Sequence, residues 1–134
     1  MKRVPKLAAA ALGAALLVPA FATTAQAGSI HGCPDDSFCF YYNSNMQGSH
    51  DVLRAPDNYG DLAGYKFTSA GKGKGLSVKN NAASVVNNTF CTARVYFNSG
   101  YTGPYDSFMN LQRGNLDDTY NNNASLFYRD GECG

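Results

Sequence analysis

Ala93-Arg94-Val95-Tyr96-Phe97-Asn98-Ser99-Gly100-Tyr101-Thr102-Gly103 is a diverged second copy of Phe38-Cys39-Phe40-Tyr41-Tyr42-Asn43-Ser44-Asn45-Met46-Gln47-Gly48. In this alignment Tyr41 falls on Tyr96, Asn43-Ser44 on Asn98-Ser99, Gly48 on Gly103, and Asp51 on Asp106. A second matching piece follows in each half. Asn80-Asn81-Ala82-Ala83-Ser84 precedes Val85-Val86, and Asn121-Asn122-Asn123-Ala124-Ser125 precedes Leu126-Phe127. Each half therefore reads as a strand, a compact glycine hairpin, a strand, and an Asn-rich turn whose serine leads into a last strand. These residue types suit a folded-over hairpin. Glycine supplies positive φ, and an aromatic a few residues earlier covers the bent backbone. A serine hydroxyl from the later turn can satisfy a backbone group that the bend leaves unpaired.

Outward from the repeat, the composition is that of strands and turns. Tyr, Phe, Val and Thr come in short runs, separated by Gly, Asn, Asp and Ser. No long window carries a helical apolar stripe. The pattern predicts strands at Ser37–Tyr42, His50–Leu53, Tyr65–Thr68, Ser84–Asn87, Thr92–Phe97, Tyr105–Met109 and Ser125–Arg129. The fold class is thus all-β, with motif one at about 37–88 and motif two at about 91–130 of a single domain spanning 28–134.

Residues 1–27 read as an export signal. Lys2, Arg3 and Lys6 precede an apolar run from Leu7 to Ala22, and Ala25-Gln26-Ala27 offers a small-x-small cleavage pattern. Gly13 and Pro19 interrupt the run, which is short for a membrane span. The whole chain has 11 basic and 10 acidic residues; without the signal's three basic ones, 8 against 10 remain, a formal charge of −2. Such a balance gives no electrostatic reason to hold nucleic acid or, once the signal is gone, a membrane surface. A secreted, extracellular monomer is expected. A core this small usually needs stapling. Cys33, Cys39, Cys91 and Cys133 allow three pairings. Sequence proximity favours Cys33–Cys39, and Cys91–Cys133 follows by elimination; each disulfide contributes roughly 2–4 kcal/mol.

The repeat resembles the βγ-crystallin Greek-key motif, aromatic-x-x-x-x-aromatic-x-Gly with a later serine. Tyr96, Tyr101, Gly103 and Ser125 match it fully; Tyr41, Gly48 and Ser84 match it with Met46 in place of the second aromatic. The resemblance implies two Greek-key motifs forming an eight-strand β-sandwich. Cys33-Pro34-Asp35-Asp36-Ser37-Phe38-Cys39 resembles the opening of the Streptomyces metalloproteinase inhibitor family, whose secreted members begin with a C-P-x-x-S-x-C disulfide loop. That resemblance implies inhibition of a secreted, thermolysin-like zinc peptidase, the expected protein partner. The characterised inhibitors of this type present their reactive bond in a second short disulfide loop, and this chain has no second closely spaced cysteine pair.

Enzyme chemistry finds little support. His31 and His50 are the only histidines, Glu132 is the only glutamate, and neither H-E-x-x-H nor G-x-S-x-G occurs. Asp35-Asp36 and Asp117-Asp118 read as turn and capping pairs. Cysteines committed to disulfides leave no thiolate nucleophile. Many βγ-crystallins bind calcium through N/D-N/D-x-x-S/T-S turns. Here Ala83 or Val85, and Ala124 or Leu126, break that pattern, and the leading residues are uncharged Asn. No cofactor is expected beyond weak calcium. The stretch from Arg54 to Lys79 is extra length in the first half and reads as a flexible surface loop. Within it Gly71, Lys72, Gly73, Lys74, Gly75 and Leu76 form the candidate inhibitory loop, with Leu76 as the apolar side chain that enters the peptidase. Asn87-Asn88-Thr89 and Asn123-Ala124-Ser125 match the glycosylation triplet and read as coincidence. The alternative function is a structural or weakly calcium-binding βγ-crystallin module.

Overall fold

The computed structural model describes residues 28–133, with side chains as far as Arg129; the expected signal at 1–27 lies outside the described residues. Seven strands are present among them: β1 (Ser37–Asn43), β2 (Gln47–Arg54), β3 (Ser84–Asn88), β4 (Cys91–Asn98), β5 (Thr102–Phe108), β6 (Arg113–Asn115) and β7 (Ser125–Cys133). They form two antiparallel sheets, ordered β2-β1-β3-β6 and β5-β4-β7.

The two repeats interlock by exchanging a strand. β6 belongs to the second repeat yet pairs with β3 of the first, Val85 opposite Gly114. The reciprocal exchange is reduced to one bridge between Tyr59 and Leu126, closed by two hydrogen bonds of 2.9 Å. A side chain extends that ladder where backbone pairing stops: Tyr128 N donates to Asn58 Oδ1 at 2.8 Å. This single bridge stands where the resemblance called for an eighth strand.

Each hairpin is closed as the repeat predicts. Ser84 Oγ donates to Asn43 O at 2.6 Å and accepts from Met46 N at 2.8 Å. Ser125 Oγ donates to Asn98 O at 2.7 Å and accepts from Tyr101 N at 3.1 Å. Met46 and Tyr101 both have positive φ, 56° and 61°, as do Gly48 and Gly103 at 78° and 85°. Tyr101 packs on Phe127, ring centroids 5.1 Å apart. Met46, flexible enough to fill an irregular gap, packs instead against the cluster of Cys33, Cys39, Tyr41 and Val86.

That cluster explains why β1 is buried on both faces rather than alternating. Phe38 and Phe40 point into the core between the sheets, with Leu53, Val85, Val95, Phe108 and Leu126. Cys39 and Tyr41 point outward but are covered by Ile30 and Cys33 of the N-terminal segment. Tyr41 Oη donates to His31 O at 2.8 Å, and the Tyr41 ring lies 5.2 Å from that of His50.

One predicted strand is corrected, and one strand was not predicted. Tyr65–Thr68 is not a strand. A 3-10 turn at Leu62–Gly64 precedes an isolated bridge, Lys66 to Ser77, and the Phe67 backbone bonds to Leu76 and Gly75 instead of to a sheet. β6 went unpredicted because Arg113-Gly114-Asn115 is three residues long and has none of the β-branched or aromatic types that mark a strand.

Candidate functional site

β2 is an edge of the larger sheet, and the extra segment of the first repeat is strapped along it. Ser49 N donates to Lys72 O at 2.9 Å, while Thr68 N and Ser69 N both donate to His50 O at 3.2 Å. Ser69 Oγ accepts from His50 N at 2.8 Å and bonds to His50 Nδ1 at 3.0 Å. The strap covers backbone groups that an open edge would expose to other chains. It also corrects the expectation of a flexible loop. Phe67, 1% exposed, is the apolar anchor beneath it. Gly73 lies so close to Tyr42 that a Cβ there would fall 2.2 Å from the ring. Internal bonds Lys74 N to Gly71 O, Gly75 N to Phe67 O and Leu76 N to Gly73 O close the remaining turn. Leu76 stands at its end with 46% of its surface exposed, between the exposed Lys72 and Lys74 on one side and the Ser77 bridge on the other.

A second arrangement occupies the end of the sandwich where the chain enters. The Cys33–Cys39 disulfide is present, with Cα atoms 5.8 Å apart, and both cysteines are fully buried. Asn88 Nδ2 holds the loop it closes, donating to Gly28 O at 2.9 Å and Cys33 O at 3.0 Å. The neighbouring Asn87 amide donates to the carbonyls of Cys91, Phe108 and Met109, and Thr89 Oγ1 donates to Asn87 Oδ1 at 2.6 Å. This network fixes the β3–β4 link and leaves Phe90 60% exposed at its tip. Leu111, 53% exposed at φ 62°, is displayed by a turn closed by Gln112 N to Met109 O. Phe90 and Leu111 line a cleft of about 450 Å³ whose far wall is Ile30 and Asp35. Sequence reading placed the Cys33–Cys39 loop here but missed the cleft beside it, because a buried asparagine network looks like an ordinary turn until its partners are known.

The remaining candidates are structural. Asn87 and Asn123 are fully buried and hydrogen-bonded, as structural residues of the fold. Asp106 accepts from Asp117 N, Asp118 N and Thr119 N at 3.0–3.2 Å, which places the Asp117-Asp118 pair in a capped turn. Its repeat counterpart Asp51 is buried instead; desolvation raises its pKa, and a hydrogen bond from Thr68 partly offsets this. Cys91 is disulfide-bonded and stands opposite Cys133 across the β4–β7 ladder. Among the described residues no three His, Cys, Asp or Glu gather as a metal site, and no helix is long and apolar enough to cross a membrane.

Residues 26–108 match the sequence model of peptidase inhibitor family I36. Structural similarity is to βγ-crystallin domains. The N-terminal domain of protein S aligns at 24% identity and TM-score 0.53, covering 69% of this chain and 94% of that one. A βγ-crystallin from Ciona intestinalis aligns at 12% identity and TM-score 0.53, covering 69% and 99%. A βγ-crystallin domain from Clostridium beijerinckii aligns at 21% identity and TM-score 0.50, covering 69% and 95%. These likenesses establish the fold. A comparison with curated proteins gave no significant match.

Proposed function

This chain belongs to peptidase inhibitor family I36, and from that membership we propose that it is an exported, non-catalytic, monomeric inhibitor of a thermolysin-like zinc peptidase, acting outside the cell through the loop Gly71–Leu76. The observation that carries the choice of loop is its pinning. Backbone bonds to Ser49 and Phe67 hold it on both sides, yet Leu76 remains 46% exposed. A loop already ordered before binding loses little conformational entropy on entering a cleft. An exposed leucine is a side chain that a thermolysin-like pocket accepts. Export rests on the basic, then apolar, then small-residue pattern of residues 1–27.

A second location has its own supporting observation. Leu111 is a bulky residue at positive φ, displayed beside Phe90, and such strain gathers at functional sites. Measuring the inhibition constant against thermolysin for Leu76→Ala and Leu111→Ala separates the two. Truncating a buried anchor costs about 2 kcal/mol or more, roughly thirtyfold in affinity. Leu76→Ala should weaken inhibition by about that factor at an unchanged melting temperature, and Leu111→Ala should leave it intact. The reverse pattern would move the inhibitory surface to the disulfide end.

A further inference from the structure

Between the two Asn-rich turns lies a polar cleft of about 290 Å³, lined by Tyr42, Asn43, Lys72, Asn80, Asn81, Tyr120 and Asn121. The repeat itself builds it. Asn80 and Asn121 occupy equivalent positions, each four residues before its motif serine. The turns are cross-bonded by equivalent contacts: Asn80 N donates to Asn123 O at 2.8 Å, and Asn121 N donates to Ala82 O at 2.9 Å. This near two-fold arrangement carries both asparagines to one opening. The strap on β2, absent from the second repeat, adds Lys72 as a wall and presses Gly73 against Tyr42.

Asn80 and Asn121 both have left-handed backbone, φ 64° and 53°. Asparagine tolerates that geometry partly because its side chain can bond to nearby backbone. Neither does so here. Among the described residues, the side-chain amides of Asn43, Asn80 and Asn121 and the hydroxyls of Tyr42 and Tyr120 make no hydrogen bond, and the Asn81 amide is engaged only through its nitrogen. Donors and acceptors of neutral groups thus converge without internal partners, beside a Tyr120 side chain that is 44% exposed.

We infer that this cleft binds an uncharged oligosaccharide. Amides offer a donor and an acceptor side by side, the combination that paired sugar hydroxyls require. The lining favours this class over the others. It has no carboxylate, so its amide and backbone oxygens would hold a cation only weakly. It has one ammonium, Lys72, where an anion site would use several donors. It has no aliphatic side chain to receive a protein anchor, and its volume is at the small end of ligand pockets. This site shares Lys72 with the proposed inhibitory loop, but binding there does not require a peptidase.

The test is an ¹⁵N NMR titration of the mature chain, without peptidase, using cellotriose, maltotriose and tri-N-acetylchitotriose as probes. At least one probe should shift the side-chain amide resonances of Asn43, Asn80 and Asn121. Asn121→Gly keeps the left-handed backbone while removing the amide, and should weaken that binding about fivefold, the worth of one hydrogen bond. Tyr120→Ala should weaken it as well, and both variants should keep wild-type melting temperature and thermolysin inhibition. The inference is overturned if no probe moves these amides at its solubility limit, or if both variants bind as tightly as the wild type.

Discussion

Two serines show how single residues close this fold. Ser84 and Ser125 make the same pair of bonds in the two hairpins although their local partners differ, Met46 in one and Tyr101 in the other. The serine is the constant element, and the aromatic is one way among others of covering the bend. Tyr41 illustrates the opposite case, a residue whose equivalent, Tyr96, sits in a different environment. Tyr41 is 1% exposed, and burial pushes its phenol from 10.0 up to about 12. A phenol pKa raised in the folded state contributes stability that is complete below the unfolded value and lost as pH rises through the folded one. Stability should therefore fall between pH 10 and about 12. Tyr41→Phe should flatten part of that fall while costing about 1 kcal/mol at neutral pH for the lost bond to His31 O. Tyr128 and Tyr59, both also raised chiefly by desolvation, contribute to the rest. Urea denaturation across the alkaline range measures both effects, and an identical slope in the variant would contradict the assignment to Tyr41.

Among the elements, the hairpins were legible in the sequence and the exchanged strands were not. Tyr96, Gly103 and Ser125 announce a folded hairpin because each has a local steric or hydrogen-bonding duty that depends on spacing. β6 and the Tyr59 bridge form through partners in the other repeat, at distances along the chain that local pattern does not encode. The strap on β2 fell to the same limit. Ser69-Ala70-Gly71-Lys72-Gly73 reads as loose until Ser49, His50 and Tyr42 are seen to hold it. The hairpin reading carries a direct test. At Gly103, φ 85°, an added Cβ would lie 2.6 Å from Asn98 Nδ2; at Gly48, φ 78°, it would lie 3.1 Å from Lys72 O. Asn98 can swing aside and the Lys72 backbone has less freedom, but the positive φ strains a β-branched residue at both sites. Gly103→Val and Gly48→Val should each destabilise by more than about 1 kcal/mol, as read from chemical denaturation. Wild-type stability in both would remove these glycines from the hairpins.

At the scale of the molecule, a sandwich of interlocked repeats holds a pinned apolar loop on one edge and a disulfide-held apolar cleft at one end. The second staple is proposed as Cys91–Cys133, the pair set opposite one another by the β4–β7 register. Peptide mapping under non-reducing conditions should recover that crosslink beside Cys33–Cys39; a Cys39–Cys91 peptide would contradict it. The two staples sit on different sheets, so together they suit a small inhibitor that must stay folded in the presence of a peptidase, whose cleavage follows the population of opened chain. The candidate site was only partly legible. Leu76 could be named from sequence, but its pinning, and the asparagine network behind Phe90 and Leu111, depend on contacts between distant segments. The central claim is that this rigid frame serves to occupy a peptidase. The most direct measurement is a titration of thermolysin activity on a fluorogenic peptide by the mature protein, with a panel of secreted metallo- and serine peptidases alongside. The account predicts saturable inhibition of thermolysin in a one-to-one complex, with the inhibitor left intact in its fold. Full activity of every peptidase in the panel at excess protein would contradict it and leave a structural crystallin module in its place.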